Sequence, residues 1–407
     1  LKNVDLIPPP VFKPQDLPVN KELHFVNFPE LQSLNNSIEM LTQDYQGNIW
    51  LASSTQGVVK IVSNNFTDIS SLAGIEHTAY NATCLYNGEL YLGTDNGLCI
   101  LDKDMHPVKN EFTEYIGDTR IRCITADPNG DLWLSTFTNS RGLICRTKDG
   151  EILSYNTENG MPSNEIRCAR VMSNGDIIAG TNGGLAVIRD HKIIKTVDAD
   201  SDIKTTVFIT VEEGGEGEIF AGTDGDGIYV ITDSEIKKIG RDDGLTSDVI
   251  VRIIKDRERD LYWIITSNSI EYMKDGVIHN ISTFPFSDNY DTIFDENGNV
   301  WVVSSYGIYT AKVEDMLADN VSEYRLYTAE NGLASAPTSY AYSAKDEDGN
   351  VYIPGRKGIS RVNINDFFET SHDIKLGLRS VYFADEKIMP DENGVYTIPS
   401  GNERIRI

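Results

Sequence analysis

All four tryptophans of the chain, Trp50, Trp133, Trp263 and Trp301, occupy the same place in a repeating unit. The unit is clearest at Asp295-Glu-Asn-Gly-Asn-Val-Trp301, followed by an apolar pair and a Gly-containing turn at Gly307-Ile-Tyr309. Asn-Gly tolerates the positive φ angles of a tight hairpin, and alternating apolar residues on either side mark strands. Eight copies put their anchor at positions 50, 91, 133, 178, 220, 263, 301 and 352, with spacings of 41, 42, 45, 42, 43, 38 and 51. Tyr, Ile or Phe stands where Trp does not. A period near 42 with about four short strands per unit predicts a β-propeller. The expectation is an all-β chain with seven or eight four-stranded blades, eight repeats being counted.

Composition narrows the partners. A formal net charge of −26 over 407 residues repels phosphate backbones and anionic membranes, so nucleic acid is excluded as a partner. The five cysteines (84, 99, 123, 145, 168) form no C-x-x-C pair and fall at strand positions, which predicts small buried hydrophobes rather than a metal site. No cofactor and no metal is expected. Asp224-Gly-Asp-Gly227 has acidic spacing but lacks the distal ligands of a calcium loop, and reads as a turn. No run approaches the roughly 18 apolar residues that span a bilayer, and no secretory signal is visible at the start.

Three regions follow from the pattern. Residues 1–21 hold Pro8-Pro-Pro10, Pro14 and Pro18 and read as an extended linker. Residues 22–368 are the propeller. Glu22–Phe28 reads as an outermost strand that arrives before its own blade. It is expected to pair with the last blade's inner strands (about 340–345, 350–354 and 358–363), closing the ring. The one helix candidate is Val313 to Met316. Residues 369–407 break the repeat, with strand-like segments at 374–383, 395–398 and 405–407, and read as the truncated start of an immunoglobulin-like domain.

The repeat D-x-x-G-N-x-W-[LIV]-[AG]-[ST] resembles the two component regulator propeller repeat, over about residues 22–365. The tail from Asp373 is similar to the start of the Y-Y-Y domain. The resemblance implies a periplasmic or cell-surface sensor of a hybrid histidine kinase receptor, reaching the membrane only through a segment outside this chain and acting as a homodimer in full length. It also implies a small-molecule ligand, an oligosaccharide. Streptogramin lyases resemble such propellers in fold, but the six histidines include no H-x-H or H-x-x-x-H pair, and no catalytic residue is assigned. A protein-interaction scaffold, or a glycosidase pair of converging carboxylates, stays open as an alternative.

The turns between strands one and two are short and uniform. The loops on the opposite face vary, which is where binding is expected. Candidates at the start of innermost strands are Asn36, Tyr80, Arg120, Asn164, Asp248, Tyr290 and Tyr340. Arg122 and Arg167 align on innermost strands, with Arg252 within a residue of them, and three cations at similar radius would suit an acidic sugar.

Overall fold

The computed structural model describes residues 38–43, 49–55, 57–61, 65–215, 217–367, 380–392, 394–401 and 404–406. It divides into two units, residues 64–367 and the remainder.

Residues 64–367 form a propeller of seven four-stranded antiparallel blades. Six blades follow one another with innermost strands Tyr80–Tyr86, Ile121–Ala126, Ile166–Val171, Phe208–Glu213, Ile250–Asp256 and Asn289–Phe294. We number these blades 1 to 6. Blade 7 is built from Ala344–Lys345, Asn350–Gly355 and Gly358–Asn363, and takes its outermost strand, Phe66–Asp68, from the start of the unit. Ser360, Arg361 and Val362 pair with Asp68, Thr67 and Phe66. Closure by a borrowed strand is therefore as expected in kind, but the strand is Phe66–Asp68. Glu22–Phe28 lies outside the described residues. The physical reason is covalent reach. The closing strand is the segment just ahead of blade 1, and it covers an edge of blade 7 that would otherwise stay unpaired.

The first repeat is not a blade of this ring. Ile38–Gln43, Ile49–Ser53 and Gly57–Ile61 form a separate three-stranded sheet in the other unit, with Met40, Leu41 and Val58 exposed. The tail holds a small sheet of Val381–Phe383, Glu386–Ile388 and Ile405–Arg406. Residues 395–398, expected as a strand, are not one. The helix at Val313–Leu317 stands where the sequence placed it, but it is not the one helix, since Ile69–Ala73 and Glu111–Ile116 are helical too, capped by Asp68 and Asn110.

Each anchor of the ring is buried, from Trp263 at 0% exposed to Phe220 at 6%. Each packs onto the next blade. Trp133 meets Ile166, Ile177 and Ile188, while Trp263 meets Val300 and Val302. Tyr352 of blade 7 meets Leu90 and Leu92 of blade 1. Burying such a ring contributes about 2–3 kcal/mol. This is why the period is fixed, since every blade must present one large side chain to its neighbour.

The turn that precedes the anchor explains the Asp. Asp295 Oδ1 accepts the backbone N–H groups of Asn297 and Asn299 (2.9 and 2.8 Å), and its Oδ2 accepts Trp301 Nε1–H at 2.9 Å. Asp127 does the same for Trp133 at 3.0 Å, and Asp256 for Trp263 at 3.0 Å. In those of these copies with Asn-Gly it is Gly, not Asn, that takes positive φ, as at Gly298 (+75°), and in the Gly-less turn after Asp256 it is Asp260 (+53°). Among the described turns between first and second strands, Asn87-Gly88 has both residues there. The Asn-Gly-Leu loops have their own logic. Asn159, Asp243 and Asn331 each accept a backbone N–H three residues back (2.8–2.9 Å). The Gly that follows turns left-handed, and Met161, Leu245 or Leu333 drops into an inter-blade core.

Two predictions follow from the clamp. Asp295→Ala leaves a buried indole N–H and two turn amides unpaired, and should cost about 2–4 kcal/mol, against about 1–2 for Trp301→Phe, read as thermal midpoints. The second concerns acid. Burial pushes the Asp256 carboxyl up, but hydrogen bonds from Trp263 and Arg259 more than offset it and hold the group below its ordinary range. Its contribution is therefore complete above pH of about 4 and is lost as the pH falls through the depressed value. Asp256→Asn should lower neutral stability and flatten the acid limb of stability against pH.

Candidate ligand site at the mouth of the propeller

Six innermost strands carry a one-residue bulge at one register, seen where Tyr80 and Ala82 pair with consecutive residues and again in blades 2 to 6. The bulged residues are Asn81, Arg122, Arg167, Ile209, Val251 and Tyr290. The residues after them are Ala82, Cys123, Cys168, Thr210, Arg252 and Asp291. A bulge turns two successive side chains to different surroundings. Here the second set descends into the central channel, a cavity of about 510 Å³ lined by Cys123, Cys168, Thr210, Arg252, Asp291 and Tyr342 among others. The first set divides: Arg122 and Arg167 turn to the loop side, around Phe137, while Val251 packs in an inter-blade core.

This register separates the three arginines. Arg120, Arg122 and Arg167 place their guanidinium carbons 5.5, 5.4 and 5.2 Å from the centre of one ring, Phe137. Arg120 is held by Asp95 at 2.8 Å. Arg167 Nε donates to Asn182 Oδ1 at 2.6 Å, and Asn182 in turn donates to Glu165. Arg122 makes no hydrogen bond or ion pair among the described residues. Burial, then the charges of Arg120 and Arg167, pull its guanidinium below the usual value.

Arg252 is elsewhere. It is 5% exposed, lies 3.7 Å over the Tyr342 ring, donates to the carbonyls of Ala341 (2.6 Å) and Tyr290 (3.3 Å), and faces Asp291 at 3.8 Å. It is the post-bulge residue of blade 5, so it plugs the channel instead of joining the mouth. The expected trio of Arg122, Arg167 and Arg252 is corrected on this point. Arg120 is the third cation at the mouth.

The other candidates divide. Tyr290 and Tyr340 stack at 6.1 Å, and Ser339 Oγ–H donates to the Tyr290 hydroxyl. Burial, with the nearby Asp224, raises the Tyr340 phenol, and the charges of Arg167 and Arg122 oppose that rise, so Tyr340 borders the cationic cluster. Tyr80 is core, 1% exposed, with its hydroxyl donating to Glu76 O. Asn164 braces a loop, donating to Asn139 O and accepting Thr157 N–H. Asp248 pairs with Arg241 at 3.4 Å, and its carbonyl accepts Gly225 and Gly227 N–H. Asn36 lies outside the described residues. The Asp224–Gly227 segment is a turn in which Asp226 accepts from Lys238 and Tyr229. All five cysteines are free, and four are buried. Sequence reasoning missed Phe137. Its one signal was the long loop after Thr136, the Phe-Thr-Asn-Ser-Arg-Gly stretch, where sibling blades have two to four residues.

Residues 115–138 match the two component regulator propeller model. They span the first-to-second strand unit of blade 2 and include Arg120, Arg122 and Phe137. Among solved structures, the chain is similar to the extracellular domain assigned to a hybrid two component system of B. thetaiotaomicron, at 20% identity and a TM-score of 0.71, covering 91% of this chain and 50% of that one. A second such domain from the same organism matches at 17% identity and 0.61, covering 91% and 52%. The chain thus spans about half the length of these domains. A streptogramin B lyase matches at 15% identity and 0.55, covering 74% of this chain and 97% of that. At these identities the likeness is one of fold. No curated protein sequence matches the chain.

The buried pair gives a prediction. Arg252→Met alone strands Asp291 without its cation and should cost about 3–5 kcal/mol in denaturant unfolding, whereas Arg252→Met with Asp291→Leu should recover most of that loss.

Proposed function

We propose that the chain is the ligand-sensing propeller of an extracytoplasmic receptor in a bacterial two component system, and that it captures an acidic oligosaccharide at the upper mouth. The repeat matched at residues 115–138 and the fold shared with extracellular domains of two component systems support the receptor part. One observation carries the ligand part: three guanidiniums crowd one phenylalanine ring in a chain of net charge −26, and Arg122 among them makes no ion pair among the described residues. Like charges brought together in a half-buried mouth are costly, and a bound carboxylate or sulfate relieves that cost. Tyr290, Tyr340 and Phe137 add ring faces on which a sugar can stack.

We read the chain as a binding module and not an enzyme. The carboxylates near the mouth, Asp95 and Glu165, are engaged as clamps on Arg120 and Asn182, which favours recognition over acid–base chemistry. In this reading the unit works outside the cytoplasm, attached through a segment beyond this chain and paired with a second receptor. Among the described residues no helix is long and apolar enough to cross a membrane.

Isothermal titration with sulfated or uronate-containing oligosaccharides, against neutral ones of equal length, tests the assignment. The acidic sugars should bind with an affinity that falls with salt, and Arg122→Ala or Arg167→Ala should each weaken binding at least tenfold. Equal binding of neutral sugars, untouched by either substitution, would reject the cationic site. No binding of any glycan by the folded protein would reject the oligosaccharide.

A further inference from the structure

On the other face of the ring, blades 2 and 3 bring three different donor groups together. Asp131 lies between the Gly130 turn and the second strand of blade 2, Leu132–Thr136. Cys145 lies on its third strand, paired with the anchor Trp133. His191 sits in the outer hairpin turn of blade 3, between Leu185–Arg189 and Lys192–Val197. One ligand atom from each falls within 4.8 Å of the other two. His191 Nε2 is 2.7 Å from Asp131 Oδ2.

The surroundings hold these groups in place. Asp131 Oδ1 accepts Lys148 N–H at 2.8 Å, which leaves Oδ2 for the shared point. His191 is steadied through its carbonyl, which accepts the Tyr155 hydroxyl at 3.2 Å, and by Trp133, whose ring centre lies 6.2 Å away. Cys145 is 0% exposed, and its thiol makes no hydrogen bond among the described residues. Beside the cluster lies a cavity of about 580 Å³ whose walls carry Asp127, Asp131, Asp149, Glu151, Asp176 and His191. The His191 side chain is 42% exposed, so the cluster can be reached from that side.

We propose that Asp131, Cys145 and His191 bind a divalent ion of the zinc class, which staples the outer hairpin of blade 3 to blade 2. A thiolate, an imidazole and a carboxylate form the borderline donor set that zinc and cobalt accept and that magnesium and calcium refuse. Metal–donor lengths of about 2.0–2.3 Å set tetrahedral donor spacings of roughly 3.3–3.8 Å, so the Asp131–His191 contact must open by about 0.6 Å. A fourth ligand would be water, reached from the cavity that Asp131 and His191 line. The Cys145 thiol carries one proton, which must leave before its sulfur can coordinate as a thiolate. Binding releases that one proton to solvent, while neutral His191 coordinates through Nε2 and Asp131 through Oδ2. Affinity should therefore rise with pH.

The test is titration of the chelator-stripped protein with Co2+, followed by displacement with Zn2+. One equivalent should produce a thiolate-to-cobalt charge-transfer band and tetrahedral visible bands, and Zn2+ should abolish both. Cys145→Ser should lose the charge-transfer band. His191→Asn, which suits the left-handed backbone of this exposed turn (φ +58°), should weaken binding tenfold or more while leaving the thermal midpoint within a few degrees of the parent. A parent protein without the band, a band that persists in Cys145→Ser, or Co2+ affinity unchanged in His191→Asn would each overturn the site.

Discussion

The structure depends on one carboxylate used twice. In blades 2, 5 and 6 an Asp closes the turn between the first two strands by accepting its backbone N–H groups, and the same side chain accepts the indole N–H of the Trp that packs on the next blade. A polar N–H can enter an inter-blade core only if it finds a partner there, and the turn supplies one. Turn geometry and blade packing are thereby coupled through a single residue. The coupling has consequences for the acid behaviour of the fold, since the acceptor must stay ionised to serve both roles.

Closure imposes the second constraint. A ring of seven blades has seven interfaces, and each is filled by one anchor and the strands it meets. The last blade has three strands of its own, and it completes its sheet with the segment that leads into blade 1. The preceding repeat carries the same motif, with Trp50 at the anchor position, yet forms a separate sheet. The motif thus specifies a blade-like hairpin. Membership of a given ring is decided by which copy lies next to the closing strand.

Function is expected where the repeat is least regular. The bulge near the start of the innermost strands splits neighbouring residues between mouth and channel. In the channel, burial selects a neutral or paired lining, thiols beside an Arg–Asp–Tyr cluster. At the mouth, partial solvation tolerates three cations around a ring. Those two environments lie one residue apart in sequence, and a mutation at either would be felt in a different observable: stability for the channel, ligand affinity for the mouth.

The sequence alone determined the propeller, its strand-per-repeat pattern, the burial of the anchors and the short helix at Val313, because each is a local or periodic property that turn chemistry and alternation encode. It also flagged Arg120, Arg122, Arg167, Tyr290 and Tyr340 by their place at strand starts. Tertiary structure decided the rest. Blade number and the closing strand depend on ring geometry, which no single repeat contains. Arg252 parted from Arg122 because it stands one position later in the repeat, and the shared bulge sends those two positions to different surroundings, which alignment of motifs does not show. Phe137, and the meeting of Asp131, Cys145 and His191, join residues from different strands or blades across distances in the chain that only packing brings to contact.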